Sequence, residues 1–157
     1  MLRYVSNNYL LPLRLIIGFG FVAHGYAKLT RGPASFGMIL MNMGLPQPVL
    51  IAWVTTLVEF IGGVSIMVGA FVAPVALPLS LFMLTAMIKV HLQYGFSSIK
   101  LKALTPSGAE FGPIGYEINV LYIAGLITLA LSKPSRMSFD FWFRNRNEDT
   151  ISQLNHE

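Results

Sequence analysis

Five basic side chains stand in stretches of sequence apolar enough to lie in lipid. Arg14, His24 and Lys28 belong to one stretch, Lys89 and His91 to another. A cation in hydrocarbon is costly unless paired or hydrated, so an intramembrane charge points to function. Within the apolar stretches only Glu59 and Glu117 could answer these charges. A positive surplus in a low-dielectric interior suits a small anion. Histidine adds hydrogen bonding and proton transfer near neutral pH. The chain has no cysteine, which excludes disulfides, a thiolate nucleophile, Cys-ligated iron–sulfur clusters and persulfide chemistry on the protein. Redox chemistry would therefore run through bound molecules or a non-thiolate metal site.

Of the 157 residues, 54% are hydrophobic and 11% charged. Soluble domains carry about 25% charged residues, so the composition is that of a membrane protein. The length suits one compact bundle. A net charge of +4 on such a chain speaks to orientation and anionic headgroups, and no nucleic-acid partner is expected. The first apolar stretch is too long for a signal-peptide core and has no A-x-A site, so no cleaved leader is expected.

Four apolar segments are expected to be transmembrane helices, over residues 10–29, 49–72, 75–94 and 116–131. About 20 residues at ~1.5 Å each cover a hydrocarbon core of ~30 Å. Backbone groups in lipid must be satisfied internally, which selects helices over open strands. The fold class is all-α: a four-transmembrane-helix antiparallel bundle over residues 1–132, followed by a polar C-terminal tail over 133–157. A short link at Ala73-Pro74 makes segments two and three a tight hairpin, and Pro78 is placed to kink the third. In the first loop Ser35 to Met43 is apolar but too short to span, and is expected to form an interfacial or re-entrant helix capping the bundle. The third loop, Gly95 to Gly115, shares a face with the first. In the tail, Phe139, Phe141, Trp142 and Phe143 among Arg136, Arg144 and Arg146 read as interfacial anchoring, with a disordered polar end beyond.

Four spans put both termini on one side. Arg3, Lys133, Arg136, Arg144 and Arg146 fall there, against Lys28, Arg31, Lys100 and Lys102 opposite. The basic tail directly after the fourth segment favours cytoplasmic termini. The location expected is the prokaryotic inner membrane, multi-pass.

At ~100° per residue, Arg14, Ile17, Phe21, His24 and Lys28 lie within roughly 80° of one another. Glu59 shares a face with Thr55, Thr56, Gly62 and Gly63. Thr85, Lys89 and Gln93 align, but His91 points about 160° from Lys89 unless the helix distorts at its end. The result is a polar funnel towards the long loops, with Arg14 and Glu59 deeper as a buried pair. Each residue also has a plainer reading. Arg14 with Glu59 could be purely structural, Lys28 could snorkel to headgroups, His24 could be an interface residue and Glu117 a solvated loop-end acid. The methionines read as packing residues, not as metal ligands.

The stretches Leu13-Arg14-Leu15-Ile16-Ile17-Gly18 and His24-Gly25-Tyr26-Ala27-Lys28-Leu29 resemble the first helix of the DoxX/DoxD family. Gly44-Leu45-Pro46, Ala52-Trp53 and Glu59-Phe60-Ile61-Gly62-Gly63 resemble its second. Val90-His91, Tyr94 to Leu101 and Phe111-Gly112-Pro113 to Glu117 resemble a branch with an extended third loop. The resemblance, over roughly Leu11 to Leu131, is specific for the family and less so for activity. Its DoxD branch implies the membrane subunit of thiosulfate:quinone oxidoreductase, which joins two thiosulfates into tetrathionate and passes two electrons to quinone. On that reading Arg14, Lys28 and Lys89 bind the anion, and His24, Glu59 and His91 are catalytic. Tyr26, Trp53 and Tyr94 line the quinone. Quinone is the electron acceptor, with no tightly bound metal or flavin. A DoxA-like subunit supplied as another polypeptide, or a homodimer, is the implied partner.

Three other functions fit the same sequence. A non-enzymatic channel, carrier or accessory subunit for a small anion needs the same cations. A bis-histidine haem site could use His24 and His91. A purely structural accessory role needs none of the chemistry.

Overall fold

In the computed structural model, which describes residues 8–154 and side chains as far as residue 146, all four apolar segments are helical. Helix α1 runs Leu11–Arg31, where Gly32 at φ 84° breaks it. Pro33 then opens α2, Pro33–Asn42. Proline suits a helix start because its missing N–H would have no partner there. Helix α3 is Pro48–Val68, closed by Gly69 in the left-handed conformation. Helix α4 is Val72–Ala86 and passes through Pro78. It continues as a π turn, Met87–His91, and a 3₁₀ turn, Leu92–Tyr94. Helix α5 is Glu117–Leu131.

The link between α3 and α4 is Gly69-Ala70-Phe71, earlier than the expected Ala73-Pro74. Ala70 and Phe71 are as apolar as the helices around them, so hydropathy does not register the turn. The backbone does: Gly69 and Phe71 both have positive φ. The expected second span over 49–72 therefore ends at Val68, and Pro74 lies inside the first turn of α4.

Helices α1, α3, α4 and α5 pack as an antiparallel ring. Opposite positions on α1 and α3 run Arg14–Met67, Gly18–Gly63, Gly25–Phe60 and Lys28–Glu59. Gly18 and Gly63 let the backbones meet; a Cβ on Gly63 would lie 2.6 Å from the Gly18 carbonyl oxygen. Small residues allow such approach in membrane helices. Helix α5 meets α1 through the Phe21–Tyr122 edge-to-face pair and through Ile17 against Gly125. Buried Asn119 on α5 donates to the Met83 carbonyl of α4 at 3.2 Å. Because α1 and α4 each pack on α3 and α5, they stand on a diagonal. Ile17, Phe21, Ile66, Ala76, Leu79, Leu126 and Leu129 form the core.

Outward faces are apolar: Ile16, Phe19, Ile61, Val68, Leu77, Leu81 and Leu121 are all exposed. A soluble bundle would place polar residues there. Pro48–Val68 and Val72–Tyr94 are long and apolar enough to cross a membrane, while Glu117–Leu131 is apolar but only 15 residues. Helix α1 has the length, at 21 residues, but carries Arg14, Lys28 and Arg31.

Helix α2 falls where an interfacial helix is expected. It packs on α3 and exposes Met38, Ile39 and Met41. Two features are unannounced. The third loop carries an antiparallel hairpin, β1 Leu101–Thr105 with β2 Gly108–Phe111. The tail, expected to end in disorder, forms α6, Phe139–Leu154. Ser138 starts it, its Oγ accepting from the Phe141 N–H at 3.3 Å in N-cap geometry. Arg3, counted above among the terminus-side cations, lies outside the described residues.

Candidate functional site

Lys28 and Glu59 form an ion pair between α1 and α3. The Lys28 ammonium donates to both carboxylate oxygens of Glu59, at 2.7 and 2.6 Å. Their side chains are 21% and 10% exposed, so water screens the pair little. Two local features bring it about. Gly25, one turn before Lys28, presses on the Phe60 backbone and seats α1 against α3 beside Glu59. The break at Gly32-Pro33 turns α2 back over the pair, and the Phe36 ring covers the ammonium, 4.3 Å from the centroid. A cation over an aromatic face gains electrostatic stabilisation, more so when desolvated.

Arg14 is not the partner of Glu59. It is 6% exposed and fixed at the opposite end of the bundle. Its Nε donates to the Met67 carbonyl at 3.0 Å, Nη1 to Ser135 Oγ at 3.3 Å and Nη2 to the Met137 carbonyl at 2.6 Å. Arg14 thus ties α1 to the end of α3 and to the segment leading into α6. Beside it, Asp140 accepts the Phe71 and Val72 N–H groups at 2.7 and 3.2 Å and caps α4. The expected Arg14–Glu59 pair fails on axial register. Both residues lie on the right faces, but Arg14 stands opposite Met67, and Lys28 stands opposite Glu59. Fourteen residues of α1 separate Arg14 from Lys28, about 21 Å at the helical rise. One small anion cannot touch both, and the expected grouping of Arg14, Lys28 and Lys89 around a single anion is not formed.

The remaining candidates gather near the far end of the helices from Arg14. His91 lies in the π turn and makes a 3.1 Å hydrogen bond through Nδ1 with the Ile114 carbonyl, just before α5. The π turn does distort this helix end, but it does not turn both Lys89 and His91 towards the bundle centre: Lys89 stays exposed; such turns often mark functional positions. Lys89 is exposed and makes no hydrogen bond or ion pair among the described residues. Tyr94 is half-buried. His24 is exposed too, because the glycines draw α3 onto the side of α1 that carries Gly18, Phe21 and Gly25 and leave His24 at its margin. Tyr26 and Trp53 are 60% and 46% exposed and face outwards. Glu117 accepts the Ser98 N–H at 2.9 Å, pinning the third loop to the start of α5. Among the described residues no three His, Asp or Glu side chains group to hold a metal ion.

Phe36 and Asp140 are the residues that sequence reasoning passes over. Phe36 reads as one more apolar residue of a short amphipathic segment. Asp140 had a signal, an acid two residues after a capping serine, but its partner at Phe71 is remote in sequence.

Apolar outward faces, two helices long and apolar enough to cross a bilayer and buried charge held between helices are features of a helical membrane protein. More specifically, residues 9–92, over half of the chain, match the DoxX family model, and the chain belongs to that family. The match runs from the start of α1 to the 3₁₀ turn after His91; it includes Lys28, Glu59 and Lys89 and stops before the hairpin and α5. Comparison with curated proteins and with solved structures gives no match.

Proposed function

We propose that this protein is a four-span inner-membrane oxidoreductase subunit of the DoxD type, oxidising thiosulfate to tetrathionate and reducing quinone within the bilayer. Two thiosulfates join through a new S–S bond and release two electrons; the quinone takes those electrons with two protons. The chain supplies no thiolate, so its contribution is to bind, orient and move protons. The observation that carries the proposal is the Lys28–Glu59 pair, an ionisable couple set between helices and roofed by Phe36. Glu59 is the residue we assign to proton delivery towards reduced quinone. Lys89, with no partner among the described residues, is the cation for the sulfur anion, with His91 and His24 as donors. Outward-facing Tyr26 and Trp53, with Tyr94, would meet a quinone arriving through lipid. Arg14 has no part in this site. Cytoplasmic termini place the long-loop end outside, and a DoxA-like subunit would dock there.

The test is thiosulfate-dependent reduction of a quinone analogue by membranes containing the full chain, with and without Lys89→Met. Loss of turnover in a folded Lys89→Met variant is expected; unchanged turnover overturns the assignment. One observation favours a second function, a non-enzymatic carrier or accessory subunit for a small anion: Lys28 is neutralised by Glu59 and Arg14 is spent elsewhere, so fewer cations converge than an enzyme site for two dianions requires. Thiosulfate uptake into liposomes without quinone reduction would identify that function.

A further inference from the structure

A second site lies at the terminus end, remote from Lys28 and Glu59. A cavity of about 190 Å³ opens between the start of α1, the start of α4, the end of α5 and the 132–138 linker. Its lining divides by chemistry. Leu10, Val72, Ala73, Leu129 and Ala130 are apolar; Arg14, Lys133, Asp140 and three serines are polar. We propose that this cavity binds the anionic phosphate head of a membrane phospholipid, with the chains lying against the apolar side.

Charge accounting carries the proposal. The cavity holds two cations and one carboxylate. Asp140 accepts the N-terminal N–H groups of α4 and keeps its charge, which also acts on Arg14. Arg14 donates three hydrogen bonds, all to neutral acceptors: two carbonyls and the Ser135 hydroxyl. A guanidinium has five N–H donors, so among the described residues two remain. Lys133 is exposed at the rim and makes no hydrogen bond or ion pair among the described residues. Asp140 offsets part of the Arg14 charge, but with Lys133 the lining still carries one cation more than it carries carboxylates; that surplus favours an anion, and a phosphate accepts from both cations.

Position selects a lipid over a free ion. The cavity sits where the apolar helices end, the level of the headgroups. Exposed Phe139, Trp142 and Phe143 begin α6 beside it, and aromatic residues concentrate at that level of a bilayer. Basic pockets between helix ends are the usual seats of anionic lipid heads.

The experiment is native mass spectrometry of the full chain released from nanodiscs containing phosphatidylglycerol and phosphatidylcholine in equal amounts, with Lys133→Gln beside the unchanged protein. Retention of phosphatidylglycerol at several-fold excess over phosphatidylcholine is expected, falling at least threefold in Lys133→Gln with unchanged melting temperature. Equal retention of the two lipids, or undiminished preference in Lys133→Gln, overturns the proposal. A second arm adds millimolar inorganic phosphate to lipid-depleted protein: a stabilisation equal to that from phosphatidylglycerol would mean a free-anion site and overturn the lipid assignment. Arg14→Lys, which keeps the charge but loses the fork, is expected to weaken lipid retention less than Arg14→Gln; the reverse order also counts against it.

Discussion

Lys28 Nζ lies 2.6 Å from Glu59 Oε2 and 2.7 Å from Oε1, so the two charges on the facing surfaces of α1 and α3 answer each other. Removing one partner of a buried pair leaves the other uncompensated, at a cost of about 3–5 kcal/mol. Replacing both by apolar residues can be neutral. Glu59→Gln and Lys28→Met are each expected to lower the melting temperature in detergent clearly, and Lys28→Met with Glu59→Met to recover most of the loss. If the pair also serves proton transfer, the double variant stays inactive in quinone reduction although it melts normally. A double variant no more stable than either single one would contradict the pairing.

Phe36 over the Lys28 ammonium is a separable contribution. Phe36→Leu keeps an apolar roof and removes the ring. The expected loss is about 0.5–2 kcal/mol. Hydrogen exchange should quicken over residues 33–42 and not over α4. In a Lys28→Met background the same substitution should cost clearly less. Equal costs in the two backgrounds would show that the ring serves packing alone.

How much of this could be read from the chain depends on what each signal measures. Hydropathy runs place the ends of α1 within two residues, because lipid rewards apolar length directly. They overrun α3 to residue 72, since Gly69-Ala70-Phe71 is a turn written in apolar letters. Helical-wheel angles put Arg14, Lys28 and Glu59 on inward faces and are right about that. Angles carry no axial information, however, and register decides that Lys28, not Arg14, meets Glu59. The hairpin escapes because its strands are short and almost wholly exposed, with no alternating apolar face to betray them. The π turn leaves no compositional mark at all.

Gly18 and Gly63 set that register. A methyl at Gly63 would sit 2.6 Å from the Gly18 carbonyl oxygen and 2.7 Å from the Val22 nitrogen, both backbone atoms with no freedom to move aside. Gly63→Ala must therefore separate α1 from α3, and overpacking of this kind costs typically about 1–3 kcal/mol. The Lys28–Glu59 bonds lengthen with it. Reduced melting temperature and faster hydrogen exchange in both helices are expected. Gly44→Ala, where φ is positive but no atom lies within 4 Å, should not disturb α1. A Gly63→Ala variant with unaltered exchange in α1 would refute the close contact.

Asp140 and Phe71 make the last test. Phe71 holds a left-handed backbone, φ 51°, that a bulky residue rarely adopts, and its N–H is bonded to Asp140 Oδ1 at 2.7 Å. Such a conformation costs on the order of 1–3 kcal/mol and persists only when its surroundings hold it. Asp140 is the holder: it takes two N–H groups of the α4 start, while its own N–H returns to the Gly69 carbonyl at 3.0 Å. Asp140→Ala should loosen the α3–α4 turn and free α6, seen as protease cleavage after residue 138. Phe71→Gly accepts the left-handed backbone without strain, and since Phe71 is 64% exposed little packing is lost. In the Asp140→Ala background it should restore part of the stability, with a coupling of about 1 kcal/mol between the two sites. Strict additivity would mean that Asp140 caps α4 without restraining Phe71.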